Sequence, residues 1–344
     1  MADFYTVKPV DCDVDFETSS LSDKTVIVTG GCSGLGEAYV RALTSVKLVN
    51  FTRRHRYTLI SHRAAVCIAD VDTQAGEKLA AELPGSIFVK CDVSVWEDQV
   101  KLFRQAATFS SSGRIDYVIA NAGVASPEAV FAYDGDHHEP TKPNSRIIDI
   151  NLNGALYTTK LAMHYFIKQN GTQQSSSQHD TCLILIGSGA AYLGQVLGRT
   201  YPSKCASANT YAVHVPRSTQ YSASKWALRG VMHAMRRMTH HYGGRVNMIS
   251  PWYVRTRILS KEAFDQVQSV GVEFAEAEDA CQCLLSLLSD RDINGRSLFV
   301  CPRKWAPRGY LDLDLDDYPG NDLLQEIQVD QIKNAPVELG LFPE

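Results

Sequence analysis

The sequence predicts an α/β protein whose mostly parallel, doubly wound sheet has seven strands and carries helices on both faces. Two observations support this prediction. Short apolar runs alternate with segments of helical periodicity along most of the 344 residues, and strands that alternate with helices form parallel sheets covered by helices. The first apolar run also ends in glycines that open a helix, which is the form of a strand–turn–helix unit that binds an anion.

The first strand, turn and helix lie near the amino terminus. The β-branched run at residues 25–28 indicates a buried strand, and residues 37–44 have helical spacing. Between them Gly30, Gly34 and Gly36 allow the backbone to turn sharply and to approach a pyrophosphate at the helix N-terminus. The spacing is T-G-x-x-x-G-x-G rather than G-x-G-x-x-G, so this motif alone leaves an ordinary glycine-rich turn as the alternative.

The later elements follow the same alternation. Further strands are predicted at residues 64–69, 86–90, 115–120, 181–186, 245–249 and 297–301. Further helices are predicted at residues 73–83, 96–110, 147–169, 220–241, 278–288 and 321–333. The connection at residues 124–144 is polar and is interpreted as a solvated loop, although it carries His137 and His138.

The composition excludes several classes of protein. Hydrophobic residues make up 44% and charged residues 21% of the chain, as in ordinary globular proteins. The net charge of −4 and the lack of a long basic run argue against nucleic acid as a partner. We see no signal peptide and no apolar stretch long enough for a membrane span, so we expect a cytoplasmic protein. The 9 cysteines are scattered without a C-x-x-C pair, which predicts free thiols and no metal site.

Asp70 ends the second predicted strand. An acidic residue at this place accepts hydrogen bonds from ribose hydroxyls and repels a 2′-phosphate. The glycine turn contains no Lys or Arg that would bind such a phosphate. The sequence therefore predicts NAD rather than NADP as cofactor, with an ordinary strand-end turn residue as the alternative interpretation of Asp70.

Tyr221 and Lys225 are four residues apart and so share one face of a predicted helix. A free tyrosine has a pKa of about 10, and we expect the ammonium group, together with a cationic nicotinamide ring, to lower it to near 7. The phenolate would take the hydroxyl proton of an alcohol while hydride leaves for the nicotinamide. Ser188 follows the fifth strand and would hold the substrate oxygen. Taken alone, a Tyr-x-x-x-Lys pair also fits an exposed helix surface.

Together these motifs resemble those of the short-chain dehydrogenase/reductase family. The glycine pattern is that of the family's shorter members rather than that of the extended epimerase and dehydratase branch. The resemblance covers about residues 22–302 and keeps the family order of motifs. It is carried by Thr29-Gly30, Gly34, Gly36, Asp92-Val93, Asn121-Ala122-Gly123, Asn151, Ser188, Tyr221, Lys225, Pro251 and Thr256.

The resemblance implies a Rossmann-type fold, a single domain over residues 1–344 and a role for each matching residue. Catalytic residues would be Asn151, which seats a water in the proton relay, Ser188, Tyr221 and Lys225. Cofactor-binding residues would be Gly30, Ser33, Gly34, Leu35, Gly36, Asp70, Asp92, Val93, Asn121, Gly123, Tyr221, Lys225, Val254 and Thr256. Members usually form dimers or tetramers through the helices that contain Asn151 and Tyr221, so we expect a homodimer or homotetramer.

The chain departs from the family pattern at three places. Ser188 and Tyr221 are 33 residues apart, whereas family members keep them about a dozen apart. The excess corresponds to residues 199–218, and residues 46–63 form a similar excess before the second strand. Both inserts are either surface loops or introns retained in a gene sequence, and we favour the second explanation. Trp252 follows Pro251 where the family usually has Gly, which we expect to narrow the substrate pocket.

The tail at residues 303–344 resembles that of fungal members related to 5′-hydroxyaverantin dehydrogenase and to 15-hydroxyprostaglandin dehydrogenase. This resemblance implies NAD-dependent oxidation of a secondary alcohol on a bulky, largely apolar small molecule such as a polyketide. Two alternatives stay open. One is an NADPH-dependent ketoreductase on the same fold. The other is a cofactor-binding protein without catalysis, in which the second insert displaces Ser188 from Tyr221.

Overall fold

The computed structural model describes residues 5–44, 64–126, 128–130, 133–136, 138–172, 179–192, 218–317 and 321–333. The predicted insert at residues 46–63 lies outside the described residues, and so does the insert at residues 199–218 except for its last residue, Ser218. The two inserts therefore stay predictions, and the described residues show the sheet, its helices and the segments that follow the strands.

Eight strands form one sheet in the described part of the chain. They are β1 Thr25–Thr29, β2 Ala65–Asp70, β3 Ser86–Lys90, β4 Tyr117–Ala120, β5 Thr181–Ile186, β6 Gly244–Pro251, β7 Ser297–Val300 and β8 Tyr310–Asp312. Their order is β3-β2-β1-β4-β5-β6-β7-β8, and all neighbours are parallel except β7 and β8. The order in which successive strands are added to the sheet reverses between β1 and β4. Open parallel sheets bind ligands at such a point, at the carboxyl ends of the strands.

Helices cover both faces of this sheet. They are α1 Gly34–Thr44, α2 Thr73–Glu82, α3 Trp96–Phe109, α4 Arg146–Ile148, α5 Gly154–Asn170, α6 Thr219–His241, α7 Lys261–Ser269, α8 Ala277–Ser289 and α9 Asp322–Lys333. One buried apolar cluster joins α1 and α8 to the sheet, and a second joins α3, α5 and α6 to it. The prediction of a doubly wound sheet is therefore confirmed.

The two apolar clusters follow from the pleat of the strands. In β1, Val26 and Val28 belong to the cluster with α1 and α8, whereas Ile27 belongs to the cluster with α3, α5 and α6. All three side chains are fully buried. Because successive side chains of a strand point to opposite faces, a run of apolar residues supplies both clusters at once.

The sheet has one strand more than the seven predicted. The eighth strand, β8, lies in the tail that the sequence analysis placed beyond the common core. It pairs antiparallel with β7, with Val300 opposite Tyr310 and Leu298 opposite Asp312. Strand β8 has only the three residues Tyr-Leu-Asp, which are too few to predict a strand, because its stability comes from pairing with β7 and not from its own sequence.

Two helical predictions also need correction. The predicted continuous helix at residues 147–169 consists of α4, a π-helical segment at Asp149–Asn153, and α5. A turn that is one residue wider does not change the apolar periodicity enough to be recognised in the sequence. Helix α7 was not predicted, although Ser260 caps it by accepting a hydrogen bond from the N–H of Ala263, which is a recognisable start signal.

Three further predictions concern the described residues. The eight cysteines within them are free thiols, in agreement with the prediction, and Cys205 lies outside. No three His, Cys, Asp or Glu side chains within the described ranges come together as metal ligands. None of the helices in the described part combines the length and the apolar composition needed to cross a bilayer.

A buried ion pair lies at the amino ends of β5 and β6, on the side of the sheet opposite the predicted ligand site. Asp180 accepts hydrogen bonds from Nε and Nη2 of Arg245 at 2.7 and 3.0 Å. Arg245 also donates to the carbonyl oxygens of Leu287 and Asp290, at the end of α8, at 2.6 and 2.8 Å. The pair therefore links β5 and β6 to α8, and both of its charges are compensated.

We expect Asp180→Asn to lower the free energy of unfolding by about 3 kcal/mol or more, because the buried Arg245 charge loses its counter-ion. Urea unfolding at neutral pH measures this change. In the control variant Asp265→Asn, the lost partner belongs to a pair with Arg255 whose side chains are 53% and 46% exposed, so we expect a change below about 1 kcal/mol. Equal effects of the two variants would contradict this account.

Candidate active site

A cavity of about 990 Å³ opens at the carboxyl ends of the parallel strands. Its lining includes residues that directly follow or end β1, β2, β3, β4, β5 and β6. Fifteen of the sixteen predicted site residues line it, namely Gly30, Ser33, Gly34, Leu35, Gly36, Asp70, Asp92, Val93, Asn121, Gly123, Ser188, Tyr221, Lys225, Val254 and Thr256. The fold therefore brings together residues that lie up to 226 positions apart in the sequence.

The turn between β1 and α1 leaves little or no room for a side chain at its glycine positions. Gly30 and Gly34 have φ angles of 63° and 55°, in the left-handed region that favours glycine. A Cβ atom at Gly36 would overlap the carbonyl oxygen of Gly30. The backbone thus reaches the start of α1 in a tight turn and leaves the N–H groups of the first helical turn facing a space that an anion fits.

Asn121 holds this turn against the end of β4. Its side-chain nitrogen donates to the carbonyl oxygens of Thr29 and Gly30 at 2.9 and 3.0 Å. The hydroxyl oxygen of Thr29 in turn accepts hydrogen bonds from the backbone N–H groups of Asn121 and Ala122, at 3.0 and 3.1 Å. Asn121 lines the cavity, but its amide nitrogen is engaged by the turn, so the side chain shapes the site through the backbone of the turn.

The two predicted acidic residues end or follow neighbouring strands. Asp70 accepts backbone hydrogen bonds from Cys32 at 3.0 Å and Asp72 at 3.1 Å, one on each carboxylate oxygen. Each oxygen keeps a second lone pair for another donor. Asp92 accepts hydrogen bonds from the backbone N–H and the hydroxyl of Ser94 at 2.9 and 2.7 Å, so its carboxylate has a fixed orientation beside Val93.

The segment after β6 forms the opposite wall. The Cβ of Thr256 lies 3.0 Å from where a Cβ of Gly34 would lie, so Thr256 faces the glycine turn across the cavity. Val254 is buried and pairs with Ala275 in a short parallel bridge. This bridge fixes the backbone between Pro251 and Thr256, so the glycine turn and the segment after β6 approach each other closely.

Ser188, Tyr221 and Lys225 meet at the carboxyl end of β5. Tyr221 and Ser188 both line the cavity, and Ser188 lies near enough to the Tyr221 hydroxyl to influence its pKa. The Nζ of Lys225 donates to the carbonyl oxygen of Ile186 at 2.8 Å and lies 5.6 Å from the centre of the Tyr221 ring. Ser188 and Tyr221 therefore lie near each other despite the long segment between them.

Burial shifts the pKa values of the tyrosine and the lysine toward their neutral forms. Loss of water around Tyr221 raises the pKa of its hydroxyl, although the nearby Ser188 side chain opposes the change. Burial lowers the pKa of Lys225 to about 8 because a charged ammonium group is less stable away from water. The expected lowering of the Tyr221 pKa to near 7 is therefore absent without a bound cofactor, since desolvation of the phenolate outweighs the stabilising contacts.

Asn151 is the predicted site residue that does not line the cavity. It is buried, and its amide accepts a hydrogen bond from Val124 N–H at 2.8 Å and donates one to Val124 O at 2.9 Å. Its Oδ1 lies 3.4 Å from where a Cβ of Gly123 would lie, and Nζ of Lys225 lies 3.6 Å from the same point. The π-helical segment therefore places Asn151 directly behind the cavity wall, close to Lys225.

Glu128 binds the start of the helix that carries Tyr221, although no sequence pattern singled it out. Its carboxylate accepts hydrogen bonds from the backbone N–H groups of Thr219 and of Gln220, the latter at 2.8 Å. Ser218, the residue before α6, makes no side-chain capping bond. Glu128 therefore satisfies the first N–H groups of the helix that carries Tyr221, where a negative charge is favourable. The prediction that the whole loop at residues 124–144 is solvated is wrong at this residue.

Aromatic side chains form the apolar part of the wall. Trp252, Tyr253 and Phe264 line the cavity, and the Trp252 ring lies 3.2 Å from where a Cβ of Gly189 would lie. The rings of Trp252 and Tyr253 pack edge to face, with centroids 5.0 Å apart. The prediction that Trp252 narrows the substrate pocket stays a prediction. Phe264 was missed because α7 was missed.

The residues present fit a nicotinamide dinucleotide. The glycine turn offers backbone N–H groups and excludes side chains, Asp70 offers carboxylate lone pairs at one end, and Tyr221 and Lys225 lie at the other end of the same cavity. A volume of about 990 Å³ is at the upper end of the range for ligand pockets, which suits a long ligand together with a second, smaller one.

Comparison with known proteins gives a consistent result. A family model described as short chain dehydrogenase matches residues 51–207 and 204–266, which is more than half of the chain. The chain is 28% identical over 331 residues to a 5′-hydroxyaverantin dehydrogenase from Dothistroma septosporum, with 90% of this chain and 94% of the relative covered. It is also 28% identical to an NADP-dependent dehydrogenase from Cochliobolus lunatus, with coverages of 80% and 87%.

Solved structures share the fold. A short-chain type dehydrogenase/reductase from Mycobacterium marinum aligns with a TM-score of 0.60 and 20% identity, covering 81% of this chain and 94% of that protein. A 3-ketoacyl-(acyl-carrier-protein) reductase from Brucella melitensis, solved in complex with NADH, aligns with a TM-score of 0.58 and 21% identity, covering 81% and 97%. At these identities the likeness establishes the architecture and not the substrate.

The lowered pKa of Lys225 predicts how stability changes with pH. Between about 8 and 10.5 the unfolded chain binds more protons at this residue than the folded protein does, so the folded protein gains stability as pH rises. Relative to Lys225→Met, the free energy of unfolding of the cofactor-free protein should rise by up to about 3 kcal/mol across this window. Chemical denaturation at several pH values measures the difference.

The control for this measurement is Lys160→Met, which removes an exposed lysine from α5. We expect its stability relative to the unsubstituted protein to be independent of pH in the same window, because Lys160 is exposed to solvent and has no burial to relieve. If the difference in free energy of unfolding between Lys225→Met and the unsubstituted protein were also independent of pH, this result would contradict the burial of Lys225.

Proposed function

Because the chain belongs to the short chain dehydrogenase family, we propose that it oxidises a secondary alcohol with NAD as hydride acceptor and Tyr221 as general base. The observation that supports this proposal is the meeting of Ser188, Tyr221 and Lys225 in a cavity that continues to the glycine turn and Asp70. Family membership makes the protein an oxidoreductase. The choice of cofactor and of substrate is the part that we propose.

In the proposed reaction the substrate hydroxyl lies between Ser188 and Tyr221. Ser188 donates a hydrogen bond to the substrate oxygen, and Tyr221 takes its proton as the carbon–hydrogen bond breaks. Bound NAD supplies the carbon that accepts the hydride. In the reverse direction Tyr221 returns the proton to the carbonyl oxygen, a role for which the neutral phenol favoured by burial is already suited.

Lys225 and Asn151 would support the proton transfer. Lys225 uses one donor on Ile186 O, and its ammonium group has two more, which we assign to ribose hydroxyls and to the proton path. Asn151 lies behind Gly123 near Lys225, and we propose that this segment holds the water that continues the relay. Both residues act on protons and hydrogen bonds and neither forms a bond to the substrate.

The remaining predicted residues would bind the cofactor along the cavity. Pyrophosphate would lie at the glycine turn, where Gly30, Gly34 and Gly36 expose backbone N–H groups with those of Ser33 and Leu35. The adenosine part would contact Asp70, Asp92 and Val93. The nicotinamide would lie between Gly123 and the segment containing Val254 and Thr256.

The preference for NAD rests on Asp70. Its free lone pairs suit ribose hydroxyls, and its charge repels a 2′-phosphate. An NADPH-dependent ketoreductase is the second candidate, because the relative from Cochliobolus lunatus is named as NADP-dependent. The Brucella melitensis reductase, which shares the fold, was solved with NADH, the cofactor without the phosphate. Measured affinities distinguish the two candidates.

The proposed substrate class is a bulky, largely apolar secondary alcohol. Trp252, Tyr253 and Phe264 give the cavity an aromatic wall next to Ser188, and aromatic side chains bind flat apolar molecules well. Two relatives, from Dothistroma septosporum and Emericella nidulans, are named as 5′-hydroxyaverantin dehydrogenases. We therefore propose a polyketide-like substrate of secondary metabolism. A homodimer or homotetramer and a cytoplasmic location stay predictions.

The third candidate, a cofactor-binding protein without catalysis, required that Ser188 be displaced from Tyr221. Both residues line the same cavity, and Ser188 lies near enough to the Tyr221 hydroxyl to influence its pKa, which argues against this candidate. Turnover on a panel of secondary alcohols with NAD, and of ketones with NADH and NADPH, tests it directly. NADH formation from at least one alcohol supports the proposed function, and cofactor binding without turnover on the whole panel contradicts it.

We expect the protein to bind NAD more tightly than NADP, and Asp70→Asn to reduce this preference by about 10- to 100-fold, because a charged hydrogen-bond acceptor for ribose is lost. Titration of tryptophan fluorescence with each cofactor gives both dissociation constants.

The matched control is Asp72→Asn. Asp72 is two residues away, and its Oδ1 accepts a hydrogen bond from Ala75 N–H at the start of α2, a capping role that asparagine also fulfils. We expect it to leave the preference unchanged. Tighter binding of NADP by the unsubstituted protein would favour the ketoreductase and contradict our assignment of Asp70.

A further inference from the structure

The face of α6 that lines the cavity also contacts the C-terminal segment. Tyr221, Lys225, Arg229 and His233 follow one another at intervals of four residues, so they lie along one face of the helix. Tyr221 and Lys225 line the cavity, whereas Arg229 and His233 hydrogen-bond to Asp316 in the C-terminal segment. The proposed acid/base residues and the tail therefore share one helix face.

Asp316 is the centre of this second contact. Its Oδ1 accepts hydrogen bonds from Nε and Nη2 of Arg229 at 3.2 and 3.1 Å and lies 3.0 Å from Nε2 of His233. Its Oδ2 accepts the backbone N–H of Ser297, in β7, at 3.0 Å. The side chain is 1% exposed. Burial alone would raise the pKa of Asp316, but hydrogen bonding and charge from His233 and Arg229 lower it. The ionised carboxylate thus joins α6 to β7.

The segment that carries Asp316 is attached to the sheet by separate bonds. Arg296 is fully buried and binds Asp312, Asp314 and Asp317 at 2.7, 3.1 and 2.9 Å. Strand β8, which begins the segment, pairs with β7. Asp316 is therefore held in place by contacts that do not involve Arg229, and it provides a fixed point for α6.

The same contact reaches the loop that carries Ser188. This loop forms a short 3-10 turn at Gly189–Ala191 and continues to Tyr192. The guanidinium carbon of Arg229 lies 5.1 Å from the centre of the Tyr192 ring, and the Tyr192 hydroxyl donates to the carbonyl oxygen of Ser297 at 3.2 Å. Arg229 thus lies between Asp316 and the Ser188 loop, and Ser297 contacts both Tyr192 and Asp316.

We propose that Asp316 is a positioning residue of the active site, which sets the distance between Tyr221 on α6 and Ser188 on the loop after β5. The C-terminal segment thereby contributes one residue, Asp316, to the positioning of the active site. The proposal rests on the roles proposed above for Tyr221 and Ser188. Asp316 itself does not line the cavity, and it acts through Arg229 and Tyr192.

This positioning has a physical consequence for turnover. Proton transfer requires the hydroxyls of Ser188 and Tyr221 within hydrogen-bond reach of the same substrate oxygen. A shift of α6 relative to the Ser188 loop changes that geometry while every catalytic group stays present. Apart from Lys225, which stays bonded to the end of β5, the proposed cofactor contacts lie outside α6, so we expect the loss in kcat rather than in the affinity for NAD.

The first test compares Asp316→Asn with Asp314→Asn in the full chain. Asp314 lies in the same segment but binds Arg296 and is 34% exposed. We expect kcat for the best secondary alcohol to fall about 10- to 100-fold in Asp316→Asn, with KM for NAD unchanged, since this pattern marks the loss of transition-state geometry. Asp314→Asn should keep its kcat. Equal kcat values for the two variants would overturn the proposal.

The second test needs no turnover. Hydrogen–deuterium exchange of Asp316→Asn should show faster exchange at residues 188–192 and 219–229, with α1 and α8 unchanged. Faster exchange in all helices alike would overturn the proposal, because Asp316 would then affect only the overall stability. Unchanged exchange in all helices would overturn it as well, because Asp316 would then have no effect on either segment. If the unsubstituted protein binds NAD but turns over no substrate, the proposed function fails, and this exchange pattern alone decides whether Asp316 positions the two segments.

Arg229→Lys provides a second variant in case Asp316→Asn does not fold. Lysine keeps a positive charge for Asp316 but lacks the planar guanidinium that lies against Tyr192. We expect the same fall in kcat, with unchanged KM for NAD and local faster exchange at residues 188–192. Full kcat together with unchanged exchange in Arg229→Lys would overturn the proposed link through Tyr192.

Discussion

The position of helix α6 against the sheet is the constraint on which the site depends, because Tyr221 and Lys225 both lie on this one helix. Three contacts fix it. Glu128 satisfies its first N–H groups, Lys225 bonds to the end of β5, and Asp316 holds the next part of the same face. The first and third contacts come from segments outside the common strand–helix pattern, so the ends of the sheet alone do not determine where the reactive side chains lie.

Burial of the site accounts for its unusual titration behaviour. Desolvation raises the pKa of Tyr221 and lowers that of Lys225, so in the free protein both side chains tend toward their uncharged forms. In such a low-dielectric environment, a charge brought by a ligand acts strongly on both groups. The contacts that hold α6 are therefore also contacts that hold two proton-transferring groups at the cavity with a fixed geometry.

Most of the fold and of the cavity lining could be predicted because local sequence patterns determine them. Apolar runs specify the strands, and the glycine turn and the Tyr-x-x-x-Lys spacing are local as well. Strand β8, Glu128 and the contact of Asp316 with α6 were missed, since each depends on a partner far away in the chain. The alternation of leucine and aspartate in the tail is visible in the sequence, but Arg229 and Arg296 explain it only once the fold brings them together.

The most direct test of the account is the turnover of Tyr221→Phe, measured with NAD and the best secondary alcohol, beside Tyr165→Phe on α5, whose ring packs against Phe103 and does not line the cavity. The account predicts a fall of about 100- to 10,000-fold in kcat for Tyr221→Phe, as expected for loss of a general acid/base, with NAD affinity retained and with Tyr165→Phe unaffected. Turnover of Tyr221→Phe at the level of Tyr165→Phe would contradict the assignment of Tyr221 and with it the proposed reaction.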